Sequence, residues 1–281
     1  MCSVIDRCHC QGYIAPCYIF ILLPVIHVLM TDFAKLEIKL RSLCSRYGSD
    51  LQVLMEHPSS GFSFRHNSGS EFPSASIIKL FILDYALEYE KRPGVHVPVS
   101  SLTMTDDSML NFFSGSTLTV RALLSLMIDV SDNAATNYLI SRYGMQRLNE
   151  HIRSRGWKRT RLRRFMLDFK AREAGLENTT SLDDVFDLIA QHALHQSSTK
   201  SRTFLNMMRF QHDRSRIALL LPEGVAGSKS GSLDNVYSDV AFISAAGGFS
   251  YAGFLTRDAA AAAARTFIPK LSLLFYRTIS R

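Results

Sequence analysis

The chain has 281 residues, 47% of them apolar and 20% charged, which is enough to bury a large core and excludes a chain disordered along its length. Its formal net charge of +7 is gathered largely in Arg153, Arg155, Lys158, Arg159, Arg161, Arg163 and Arg164. That run has no interleaved base-stacking aromatics and no nucleic-acid module around it, so it reads as a solvated face and nucleic acid is set aside as a partner.

The five cysteines, Cys2, Cys8, Cys10, Cys17 and Cys44, all lie before residue 45. An odd number confined to one end is no disulfide framework, and Cys8-x-Cys10 with His9 lacks a second ligand pair at zinc spacing, so no metal or other cofactor is expected. Residues 1–30 form an apolar N-terminal segment. Tyr13 to Met30 carries no charged side chain, Arg7 precedes it, and Tyr18 to Leu23 is its most apolar part. The segment reads as a signal peptide, as a short anchor, or as an extension upstream of a true start at Met30; Pro16, Pro24 and His27 tell against a clean spanning helix. The first two readings place the protein outside the cytoplasm, periplasmic or extracellular, with the anchor reading tying it to the membrane, and the third leaves it cytoplasmic.

Residues 31–281 read as one globular domain without linker or repeat. Phe33, Leu36, Leu40 and Leu43 have the spacing of an amphipathic helix over Phe33–Arg46, ended by Gly48. Strands are expected at Leu51–Met55 and Gly61–Phe64, across the turn residues His57–Ser60. Ser76–Tyr89 is apolar nearly all the way round, the mark of a buried central helix, with Ser76 at its N-terminus and Lys79 one turn on, on the same face. An amphipathic helix over Thr119–Val130 runs into Ser131-Asp132-Asn133, and helices follow at Ala134–Tyr143, Gln146–Arg155, Leu182–His195 and Arg202–Phe210. After Pro222 the period changes to two, giving strands at Val225–Ser232, Val236–Ala245 and Phe249–Thr256. Asp258 is expected to cap a last helix interrupted near Pro269. The predicted class is α+β: an antiparallel sheet built from both chain ends and flanked by helices, with an inserted all-helical region as the other wall of a cleft.

Three short motifs stand in a fixed order: Ser76-Ile77-Ile78-Lys79, Ser131-Asp132-Asn133 and Lys229-Ser230-Gly231. Each alone is common, and only the ordered triple is informative. On these residues the chain resembles the class A β-lactamases and the wider family of penicillin-recognising serine hydrolases over residues 35–281. The resemblance implies that Ser76 is the nucleophile, that the Ser131 hydroxyl relays a proton to the leaving nitrogen, and that Asn133 holds the substrate amide. It also implies that Lys229 and Ser230 bind the substrate carboxylate, while Asp132 is structural.

Elementary chemistry adds the conditions. A serine alcohol needs a base, and Lys79 serves only if unprotonated, which requires burial or a neighbouring cation such as Lys229. The oxyanion needs two N–H donors, expected from the backbone of Ser76 and Ser232. Gly231 is expected to let substrate approach its strand.

One departure stands out. Class A enzymes carry a Glu in an Arg-rich loop after the S-D-N helix, which activates the deacylating water; here Thr160 to Met166 resembles that loop, and Met166 stands at the Glu position. Asp168 is the nearest substitute, ahead of Glu173 and Glu177, either as the base or as a partner of Arg161 or Arg164 that holds the loop. Asn178 looks like the residue that closes it. Phe112 or Phe113 is a candidate for the cleft mouth or for core packing, and Arg257 for a carboxylate contact or a solvated surface. The expected function is a class A-like β-lactamase, acting as a monomer on a small lactam and deacylating slowly if the loop lacks a competent base. The alternatives are a peptidase or esterase acting on D-Ala-D-Ala-type cell-wall peptides, and a penicillin-binding sensor that stays acylated.

Overall fold

A computed structural model describes residues 18–245 and 247–281. Helix α1 (Tyr18–Tyr47) leads into strands β1 (Leu51–His57) and β2 (Phe62–His66). After the short strand β3 (Phe72–Pro73), helix α2 (Lys79–Tyr89) enters the centre. Strands β4 (His96–Pro98) and β5 (Thr117–Thr119) pair with each other, ahead of helices α3 (Val120–Asp129), α4 (Asn133–Tyr143) and α5 (Met145–Ser154). The short helix α6 (Phe169–Glu173) and strand β6 (Thr179–Thr180) precede helices α7 (Leu182–Leu194) and α8 (Thr199–Arg209). Strands β7 (Ala226–Leu233), β8 (Val236–Ala245) and β9 (Gly248–Thr256) are followed by helix α9 (Asp258–Ile279).

The two ends of the chain meet in one sheet, of order β2-β1-β9-β8-β7 and antiparallel throughout. Strand β1 joins β9 from Leu51 opposite Thr256 to Glu56 opposite Tyr251. Because side chains alternate across a strand, each central strand feeds two cores. Val53, Met55, Ala252 and Phe254 pack with Leu36 and Leu40 of α1 and with Ile268 and Phe275 of α9. Leu54, Val240, Phe242 and Leu255 face the helical region, where they join Ile77, Leu80, Leu182 and Phe186. Each such buried aliphatic or Phe side chain contributes about 1.5–3 kcal/mol relative to exposure. The predicted α+β class and the pairing of sheet halves from both ends match this architecture.

Three local expectations differ. Residues Ala75–Ile78 form a tight 3-10 turn, so the α-helix begins at Lys79 rather than Ser76. Helix α9 runs through Pro269 without interruption, held by the buried Ile268, Leu271 and Phe275 on either side of it. Asp258 does not cap that helix: it sits at φ +50° and accepts a hydrogen bond from Asn235 Nδ2 at 2.8 Å instead.

Residues 1–17, which carry part of the expected signal or anchor segment and all the cysteines but Cys44, lie outside the described residues. Helix α1 is continuous across residue 30, and among the described residues no helix is long and apolar enough to cross a membrane. Cys44 is buried against the α1 and α9 core, and that burial pushes its thiol up to about 11, away from reactivity.

Candidate active site

The nucleophile motif is carried on a strained turn. Ala75 has φ +45°, outside the region an alanine ordinarily occupies. The Ser74 amide donates to Asn178 O at 2.8 Å and Ile77 N to Ser74 O at 3.0 Å, which fixes the turn from both sides. Ser76, half-buried, lines a cavity of about 410 Å³. Gly231 is what brings strand β7 against this turn: a Cβ there would lie 3.1 Å from both Ala75 Cβ and Ser74 O. The close approach that Gly231 permits in this structure is to the protein's own turn at Ser74 and Ala75.

The second motif lies between α3 and α4. Ser131 has φ +60°, so the chain reverses there. Asp132 is the N-cap of α4, accepting from Ala135 N at 2.8 Å, and its other oxygen accepts from Ser108 Oγ and Met109 N at 2.8 Å each. Those bonds bear out its structural role and hold Ser131 and Asn133 toward Lys79.

Lys79 is fully buried. Its Nζ lies 2.6 Å from Ser131 O, 2.8 Å from Asn133 Oδ1 and 3.0 Å from Ser131 Oγ. All three partners are uncharged and belong to the Ser131–Asn133 segment. Burial, helped by the charge of Lys229, holds the amine well below the ordinary lysine value, with Asp132 and Asp107 pulling the other way. The amine donates to Ser131 O, Asn133 Oδ1 and Ser131 Oγ. The arrangement can move a proton between Lys79 and Ser131.

The third motif forms the opposite wall. Lys229, fully buried on β7, donates to Ser230 O at 3.1 Å. Burial brings its amine down to about 7, with Arg216 adding to the shift and Asp239, Asp213 and Asp129 opposing it. Ser230 N donates to Gln211 Oε1 at 2.9 Å, and Ser232 is exposed at the cavity rim.

Arg216 and Asp107 are among the cavity residues that went unmarked in the sequence. Arg216 is buried over the Tyr237 ring at 3.8 Å, donates to Gly231 O at 2.8 Å and Ser238 O at 2.5 Å, and reaches Ser232 Oγ at 2.6 Å. Asp107 accepts from Asn133 Nδ2 at 2.7 Å. Neither belongs to a motif or an apolar period, and no sequence signal separates them from surface charges.

The Arg-rich segment folds as a closed loop. Asn178 Oδ1 accepts from Arg163 N at 2.7 Å and Arg164 N at 3.0 Å, while its Nδ2 donates to Arg164 O at 3.1 Å, so it closes the loop as expected. Met166 is 8% exposed and packs into the core, with its backbone clasped at both N and O by Asn137. Asp168 has another occupation than either expected one. It caps α6 through Ala171 N at 3.0 Å, and it does not line the cavity. Arg164 pairs instead with Glu177 at 2.6 Å, and Arg161 donates to Thr160 O. Glu173 is exposed and Glu177 is engaged by Arg164 and Arg172. Phe112 and Phe113 are exposed rather than in the core and do not line the cavity; Arg257 pairs with Asp50 at 3.1 Å. Among the described residues no group of three His, Cys, Asp or Glu is placed to hold a metal ion.

The family model of the beta-lactamase enzyme family matches residues 35–279. The chain belongs to that family. A β-lactamase from Sphaerobacter thermophilus DSM 20745 is 26% identical over 88% of this chain and 94% of its own, with a TM-score of 0.68. An ancestral class A β-lactamase is 22% identical over 85% and 98%, with a TM-score of 0.73. A PBP-A variant, an acyl-enzyme complex with penicillin G, is 24% identical over 87% and 96%, with a TM-score of 0.72. Among curated proteins none matches the chain in sequence. Family and fold together make this a serine β-lactamase-like enzyme of the β-lactamase superfamily.

Proposed function

We propose that the protein opens β-lactams through an acyl-enzyme on Ser76 and hydrolyses that intermediate slowly. The observation that carries this reading is Lys79, buried without a carboxylate partner among the described residues and bonded to Ser131 and Asn133, which line the same cavity as Ser76. Neutral Lys79 takes the Ser76 proton as Oγ adds to the lactam carbonyl. The Ser131 hydroxyl then passes a proton to the leaving nitrogen as the C–N bond breaks. Backbone N–H groups of Ser76 and Ser232 serve the oxyanion, and Lys229, Ser230 and Arg216 take the substrate carboxylate.

Slow release follows from the loop. The Met166 side chain cannot accept a proton, and no carboxylate of residues 160–178 lines the cavity, so the loop supplies no base for the water that clears the ester. The same observation favours a second reading, a D-Ala-D-Ala-type peptidase or a penicillin-binding sensor. Either substrate lies outside the cytoplasm, which is where the protein is proposed to act, and β-lactam breakdown there would give antibiotic resistance.

A chromogenic cephalosporin followed by absorbance, together with intact-protein mass spectrometry and Ser76→Ala as control, tests the proposal. Repeated turnover lost in the control supports a β-lactamase. A stoichiometric adduct without turnover selects the peptidase or sensor. No adduct at all overturns lactam recognition.

A further inference from the structure

The cavity is electrically two-ended. Lys229 and Arg216 line its β7 wall, whereas Asp107 stands beside Asn133 on the helical wall. The three acidic lining residues differ in what neutralises them. Asp213 lies 3.4 Å from Arg216 Nε, and Asp129 lies within the field of Lys229, which acts to lower its pKa against the burial that brings it up to about 6. Asp107 has no Lys, Arg or His within ion-pair distance among the described residues.

Its carboxylate is nevertheless held in place. Oδ2 accepts from Asn133 Nδ2 at 2.7 Å and Oδ1 from Thr105 Oγ1 at 2.8 Å. Both donors are neutral, so the full negative charge remains, and each oxygen keeps a lone pair free. A fixed, exposed carboxylate facing a wall that carries Lys229 and Arg216, with Asp129 and Asp213 beside them, complements a ligand that brings an ammonium to Asp107 and a carboxylate to those two cations.

We propose that Asp107 is a specificity residue that binds an ammonium group on the acyl side of the substrate, so that the preferred substrates carry an amine there and a carboxylate on the leaving side. The orientation rests on the acyl-enzyme reading above. With the carboxylate at Lys229 and Arg216 and the scissile carbonyl at Ser76, the remaining acyl portion extends toward Asn133 and Asp107. One Asn133 N–H is committed to Asp107, and the second remains for the substrate amide. The charge has a further effect. Asp107 favours the protonated form of Lys79, and an ammonium bound beside it cancels that field, so binding of the amine also eases deprotonation of the lysine.

Ampicillin and benzylpenicillin differ by one side-chain ammonium and provide the test. Acylation of the full chain by each is followed by intact mass and by competition with a fluorescent penicillin. Ampicillin is expected to acylate about 3- to 5-fold faster at low ionic strength, an advantage that shrinks as salt screens it. In Asp107→Asn the ratio of the two rates falls toward one, and in Asp107→Glu it is retained. Equal rates on the unmodified protein, a comparison that depends on no variant folding, overturn the proposal while leaving the acyl-enzyme reading intact. So does a preference that survives Asp107→Asn. If neither penicillin forms an adduct, the acyl-enzyme reading falls, and the proposal falls with it.

Discussion

Helix α2 carries two buried ionisable groups five residues apart, and the protein treats them in opposite ways. Lys79 meets only uncharged acceptors. Asp84 accepts from His151 Nε2 at 2.8 Å and His192 Nε2 at 2.9 Å, with Lys200 Nζ at 3.2 Å. Burial by itself would raise the Asp84 carboxyl; the two histidine hydrogen bonds and the Lys200 charge overcome it and hold the group far below the ordinary carboxylate range. Satisfying a buried charge makes it structural, because removing either side strands the other. Leaving a buried charge unpaired depresses its pKa and keeps it available for proton transfer. One helix thus anchors the core with one face and carries the proposed proton acceptor on the other.

The comparison is broken most severely at its reactive end. Lys79→Met is expected to lower the acylation rate constant by about 10³-fold or more, with a melting temperature that does not fall, since an unpaired buried amine is removed. A drop in both would place Lys79 with Asp84 as a structural residue. The mirror variant, Asp84→Ala, is expected to cost about 3–5 kcal/mol, seen as a fall of roughly 10 °C in Tm, with the pH profile of acylation in the surviving folded protein unmoved.

The pH dependence separates the groups further. Asp84 has a depressed folded pKa, so its stabilisation is complete above the unfolded value of about 4 and is lost as pH falls below it. Denaturant titrations between neutrality and acid should show this slope in the unmodified protein and a shallower one in Asp84→Asn. Lys229, with its amine near 7, should impose an alkaline limb on acylation there as its charge is lost. Lys229→Arg keeps the charge and should move that limb upward by more than about one pH unit; an unmoved limb would assign it to another group. The smallest effect is expected from Gly231→Ala, where contacts at 3.1 Å must open. About 1–3 kcal/mol of stability and less than about 10-fold in acylation are expected, measured by thermal unfolding and adduct formation.

Much of this was readable in the chain. Periodicity alone located α3, α7 and the strands β7 to β9 to within about three residues, because each buries one face and its apolar residues must recur at the period of that face. The ordered motifs marked Ser76, Lys79, Ser131, Asn133 and Lys229, and all but Lys79 line the cavity, with Lys79 bonded directly behind it. Asp168 misled, since a carboxylate near the expected position in sequence can equally well cap a short helix, and local hydrogen bonding to Ala171 decided its direction. The tight turn at Ala75 was missed because its strain is imposed by Asn178 and β7, which lie far along the chain.

By itself the sequence determined the α+β class and the order of elements, which follow from periodicity, and it named the candidate reactive side chains through the ordered motifs and the resemblance they carry. Only the tertiary structure decided which charges are paired. Arg216 reaches the backbone of β7 and β8 and the side chain of Ser232, Asp107 lines the cavity with no cation in ion-pair distance among the described residues, and Asp84 is closed by two histidines from different helices. Such pairings join residues tens of positions apart, and the electrostatic character of a group depends on its burial and neighbours, neither of which its own stretch of sequence records.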